Sequence, residues 1–224
     1  AATNDGLGYA SFLTWRGLLT REPPRRPEPD RPAAPPSLRS NAWKYGLFGS
    51  RDEAGFVQSV LRLPEGDFVF LDTLEEGING GRYCERRAAW LTRALDAAGD
   101  RPVYLFMHHP PFPIHIPCLD RISLLEPERF APLVAGRGNI RHLFYGHVHR
   151  PVCGSWRGIP VSTMRGLNHQ VPFDFTTVDR VPKSHEPPAY AVAFVEDDHV
   201  AVHFHDYLDR RTLVRQGDRH VYAP

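Results

Sequence analysis

The sequence predicts an α/β fold, and three observations carry that prediction. Between Asp67 and Tyr145 the chain alternates short β-prone runs with stretches of helical spacing. One of those runs, Pro102–Met107 (PVYLFM), is continuously apolar, as expected of a strand covered on both faces. The 224 residues are 42% hydrophobic and 24% charged, enough to bury a sizeable core and too apolar for wholesale disorder.

The elements follow in chain order. Residues 1–21 contain Phe12, Leu13, Trp15, Leu18 and Leu19, apolar content for little more than one helix. Glu22–Pro36 reads EPPRRPEPDRPAAPP. Proline donates to neither a helix nor a central strand, so this stretch is expected to be extended or unstructured. Residues 1–45 are therefore expected to form a Pro/Arg-rich, poorly ordered segment, and 46–224 the folded part. The opening Ala-Ala raises the expectation of a processed or truncated product.

Asp67–Leu71 (DFVFL) predicts a short strand ending at Asp72-Thr73. Glu85–Ala98 predicts a helix, with Ala88, Leu91, Leu95 and Ala98 on one face and Gly99 as its stop. After the strand at 102–107, Pro127–Val134 predicts a shorter helix and Ile140–Tyr145 another strand. Ile159–Thr163, Ala189–Val195 and His199–Asp206 are further strand candidates, the last two joined as a hairpin around Glu196-Asp197-Asp198. The result is a partly parallel sheet covered by helices, followed by a β-rich tail.

Composition excludes some functions. The 27 basic and 26 acidic residues leave a formal charge of +1, which gives no electrostatic reason to expect nucleic acid or an anionic membrane as partner. No run is long and apolar enough to cross a bilayer, and the N-terminus lacks the layout of a secretory signal. Cys84, Cys118 and Cys153 show no CxxC spacing, so neither a disulfide scaffold nor a cysteine zinc ribbon is expected, and the reducing cytoplasm is the default location.

The chemistry lies among 12 histidines. Two clusters follow apolar strands: Met107-His108-His109-Pro110-Pro111 and Tyr145-Gly146-His147-Val148-His149. Open α/β sheets place ligands at the carboxyl ends of their strands. In extended chain, His147 and His149 would share one side, and Pro110 would keep His109 out of helical angles. Neutral imidazole is the commonest ligand for divalent transition metals, although an isolated HxH or HH is more often a surface turn.

Taken in order, EAGFVQ (53–58), FVFLDT (68–73), RPVYLFMHHPPF (101–112), IPCLDRISL (116–124), RHLFYGHVHRPV (141–152) and NHQV (168–171) resemble the calcineurin-like metallophosphoesterases. The likeness lies with their bacterial class III cyclic-nucleotide phosphodiesterases and glycerophosphodiesterases. It implies an αββα sandwich, incomplete at its N-terminal side here. Carried over residue by residue, it makes His108 and His147 ligands of one metal ion and His149 a ligand of its neighbour. It leaves His109 as a catalytic candidate, one that either faces substrate or supports the ligands from behind, and Asn168 and His169 as substrate contacts at the rim or plain loop residues. The resemblance implies divalent Fe, Mn or Zn, two ions in the family, and a small phosphodiester substrate hydrolysed by a hydroxide bridging the metals.

The family also uses an Asp-x-His, a bridging Asp in a Gly-Asp pair and a Gly-Asn-His turn, all expected before residue 52; residues 1–50 contain no histidine. Without a carboxylate between them, two close cations repel strongly. The alternative is therefore a truncated or degenerate phosphoesterase-like domain without catalysis, holding at most one ion. A homodimer whose second copy supplies ligands is a further alternative that no residue pattern supports. If central strands are missing, those at 67–72 and 102–107 are expected to lose neighbours and expose buried edges.

Three other features have ordinary readings. His199, His203 and His205 read as a polar strand face in preference to a second metal site, Asp197-Asp198-His199 as a solvated turn, and Asp120-Arg121 as either a phosphate contact or a surface pair.

Overall fold

The structure, a computed structural model, describes residues 52–208. The expected helix in 1–21, the proline-rich stretch and the boundary at 45 lie outside the described residues.

Among the described residues the order is β1 (Ser59–Leu63), β2 (Gly66–Phe70), α1 (Glu85–Ala98), β3 (Val103–Met107), α2 (Pro117–Asp120), α3 (Pro127–Val134), β4 (Ile140–Tyr145), β5 (Val152–Trp156), β6 (Ile159–Thr163), β7 (Tyr190–Val195) and β8 (Val200–His205). Six strands form one sheet in the order β1-β2-β3-β4-β6-β5, and β7 pairs with β8 apart from it. The run β2-β3-β4-β6 is parallel; β1 and β5 close its edges antiparallel.

The period-2 pattern explains the layering. Val69, Leu71, Val103, Leu105, Met107, Leu143 and Tyr145 point to the helical side, against Leu91, Leu95, Phe130 and Val134. Their sequence neighbours Phe68, Phe70, Tyr104, Phe106 and Phe144 form the opposite face and pack with Ala191 of β7. Inward-facing Ala193 and Val195 stand opposite Val202 and Val200 of β8, completing that layer. Helices, mixed sheet and hairpin thus form three layers. A second helical layer is not seen among the described residues.

Two strands were not legible in the sequence. β1 is a half-buried edge with a weak pattern, returning into β2 through Pro64-Glu65. β5 carries Gly154 and Ser155 and is mostly exposed, so it has little apolar signature. Its turn to β6 is Arg157-Gly158, with φ of 51° and 82°. Two consecutive positive φ angles are what a tight two-residue hairpin requires, and a residue followed by Gly was the available signal. Because β1 pairs with the outer side of β2, and β3 lies between β2 and β4, the bare edges expected at 67–72 and 102–107 do not occur.

On the aromatic face, His142 takes a place in the stack, 4.2 Å from Phe144, with Nε2 2.8 Å from the Ser162 hydroxyl. Burial lowers its pKa from 6.5 to about 4. The unfolded chain therefore binds this proton first as pH falls. Stability from a neutral His142 is complete above pH 6.5 and is progressively lost down to about pH 4. A urea-denaturation series across that window is expected to show a loss of about 3 kcal/mol, at about 1.4 kcal/mol per unit. His142→Leu is expected to flatten the slope, and an unchanged slope would remove His142 as its source.

All four parallel strands end at one edge of the sheet. The segments that leave there begin at Leu71, His108, Gly146 and Met164, and they carry the residues described next.

Candidate metal centre

β3 delivers His108 and His109, both buried, directly after Met107. β4 delivers Gly146, whose N–H donates to the carbonyls of Met107 at 3.2 Å and His108 at 3.0 Å. This ties the exits of two neighbouring strands together. Across that tie, His147 Nδ1 lies 3.1 Å from His108 Nε2. The His109 ring stands 4.7 Å from His108 at a 90° interplanar angle and 4.6 Å from His147. One ligand atom from each of the three lies within 4.8 Å of the other two, with no carboxylate in the group. At this separation His108 and His147 can share a divalent ion, whereas both ring nitrogens of His109 meet protein groups.

The backbone at Gly146–His149 is not the extended chain that the i, i+2 reading assumes. His147 and His149 have φ of 68° and 50°, and Val148 between them is fully buried in the core. Left-handed angles in non-glycine residues are costly and collect at functional sites. Anchoring Val148 while turning the chain sharply sends the two imidazoles to different partners. His147 meets His108. His149 donates its Nδ1–H to the His169 carbonyl at 2.6 Å, with the two rings 4.4 Å apart. A carbonyl only accepts, so the neutral His149 ring keeps its lone pair on Nε2. His149 lies outside the three-histidine group.

Three glycines make room for these rings. A Cβ at Gly81 would come within 2.4 Å of His109 Nδ1, one at Gly146 within 3.1 Å of His108 Nδ1, and one at Gly166 within 2.7 Å of His149 Nδ1. Gly81→Ala is expected to push His109 aside and weaken Co(II) binding by about tenfold or more, as displaced supporting groups do. Gly154→Ala, where a Cβ meets nothing within 4 Å, is the control. Equal affinity in the two variants, by calorimetric titration, would show that Gly81 is a bystander.

Sequence reasoning missed the residues that hold His109. The Thr73 hydroxyl lies 2.8 Å from its Nδ1 and the Asn79 carbonyl 3.2 Å from its Nε2. Both come from the segment after β2, which the buried Arg87 of α1 clamps through the Leu74 and Arg82 carbonyls. Asp72 accepts the N–H groups of Val57 and Leu74, and its carboxylate serves the local backbone. A buried threonine after a strand carries no sequence signal; only the fold shows its partner.

Asn168 is exposed and His169 half-buried at the rim, on a loop that Gln170 pins by bonding both the N–H and the carbonyl of Gly166. Asp120 and Arg121 do not pair. Asp120 accepts from Ile114 N–H, and Arg121 donates to the Val178 carbonyl. Asp198 and His199 form the expected exposed turn, with the His199 hydrogen bond holding the Asp198 carboxyl below its usual range.

Comparison with known proteins gives several relatives. A protein of Rhodopseudomonas palustris named "Probable cyclic nucleotide phosphodiesterase" is 45% identical over 156 residues, covering 68% of this chain and 57% of that protein. A glycerophosphodiester phosphodiesterase of Enterobacter lignolyticus is 32% identical over 105 residues, 47% of this chain and 38% of its own length. A 3′,5′-cyclic adenosine monophosphate phosphodiesterase of Pseudomonas aeruginosa is 34% identical over 94 residues, 42% of this chain and 35% of its own. The chain thus spans little more than half of the first relative and less of the others. No family model matches it.

Proposed function

We propose that this chain, which resembles the calcineurin-like metallophosphoesterases, carries the histidine side of a metal-dependent phosphodiesterase site acting on cyclic nucleotides or glycerophosphodiesters. The observation that carries the reading is the 3.1 Å approach of His147 Nδ1 to His108 Nε2 at the ends of neighbouring parallel strands. His108 and His147 would hold one divalent ion and His149 would help to hold a second, in the two-metal arrangement the resemblance implies. When bound, such ions polarise phosphoryl oxygens and acidify water. The chain's own residues supply position. The Gly146 N–H fixes where His147 leaves β4, the His169 carbonyl fixes the His149 tautomer, and Asn168 and His169 border the site where a phosphodiester's substituent would lie. Among the described residues no helix is long and apolar enough to cross a membrane.

The test strips the purified chain of metal, restores Mn(II), Zn(II) or Fe(II) separately, and follows hydrolysis of bis-p-nitrophenyl phosphate, 3′,5′-cyclic AMP and a glycerophosphodiester. Metal-dependent turnover is the expected result. Stoichiometric metal binding with no turnover on any of the three would overturn the enzymatic reading.

A further inference from the structure

His109 is buried, and both of its ring nitrogens face protein groups. The Asn79 backbone carbonyl can only accept, so at 3.2 Å it requires the proton on Nε2. Nδ1 is then the acceptor, and the Thr73 hydroxyl at 2.8 Å is its donor. The same hydroxyl oxygen accepts the His109 backbone N–H at 3.4 Å, which leaves its own proton aimed at the ring. Thr73 is itself buried, and the segment bearing it is clamped by Arg87, so neither partner is a passing surface contact. Gly81 closes the other side of the ring, where even a methyl group has no room.

We propose that Thr73 is a positioning residue, whose hydroxyl acts with the Asn79 carbonyl to lock His109 in the Nε2–H tautomer as a wall that sets the His108 and His147 rings. The locked ring stands edge-on to His108 at 4.7 Å and tilted against His147 at 4.6 Å. It acts by packing, and neither nitrogen is offered to substrate or ion while both hydrogen bonds last. Of the roles the resemblance leaves open for His109, this selects the supporting one over the substrate-facing one. The metal-affinity consequence rests on the function proposed above; the tautomer does not.

Long-range ¹⁵N–¹H correlation spectra of the full chain, with His109 assigned by comparison with His109→Gln, read the tautomer directly. The wild-type protein is expected to show His109 as Nε2–H. Thr73→Val, close in shape but without a hydroxyl, is expected to keep the Nε2–H that the Asn79 carbonyl requires, to shift the Nδ1 resonance as its donor is lost, and to weaken Co(II) binding about tenfold, the scale of supporting contacts around metal ligands. Thr73→Ser is expected to restore both the Nδ1 resonance and the affinity. An Nδ1–H pattern in the wild type, or an unchanged Nδ1 resonance in Thr73→Val, would overturn the proposal. Absence of Co(II) binding by the wild type would sink the metal site, while the spectra would still decide the role of Thr73.

Discussion

Replacing His147 by alanine is expected to lower metal-dependent hydrolysis of bis-p-nitrophenyl phosphate by about a hundredfold or more. A metal contributes several kcal/mol of charge stabilisation, and each 1.4 kcal/mol or so is a factor of ten. The imidazole removed is the one that meets His108 across the β3–β4 junction. A companion variant separates chemistry from stability. His147 has φ of 68°, a conformation that costs an L-residue about 1–2 kcal/mol and glycine almost nothing. Allowing for glycine's greater unfolded-state freedom, His147→Gly is expected to be more stable than His147→Ala by roughly 0.5–1 kcal/mol, and equally inactive. Activity in either variant within threefold of wild type would remove His147 from the site.

Phe106→Ala is expected to cause the largest loss of stability, about 3–5 kcal/mol by urea denaturation at unchanged slope. Phe106 is central in the layer between the mixed sheet and the hairpin. It stacks on Phe70 and Phe144 at 4.8 Å each and lies 6.2 Å from Phe68. Truncation would open a cavity bounded by rings that β-strand backbones hold apart, so little collapse can offset it. A loss below about 1.5 kcal/mol would mean that β7–β8 moves in to fill the space.

Much of this was legible because the signals are local. The apolar run at 102–107 and the spacing of Leu91 and Leu95 report burial without knowledge of a partner, and both appear as read. β5 was not legible, since its stability comes from pairing with β6 and its side chains are mostly exposed. At the site, histidines after strands announced themselves. Their orientation did not, because the buried Val148 forces a turn where alternation would be assumed. Thr73, Asn79 and Gly81 were invisible for a different reason: their importance lies in what stands opposite them, about 30 residues or more along the chain for Thr73 and Asn79.

His108 and His147 are 39 positions apart and come together only once β3 has aligned with β4. Neither the His-His-Pro-Pro stretch nor the Gly-His-Val-His stretch contains both rings, so a cation has no local nucleus to gather around. Order of assembly follows from that distance. On the proposed function, the polypeptide would reach its architecture first and an ion would come as a late guest, unlike the zinc that condenses a small finger from an unfolded chain.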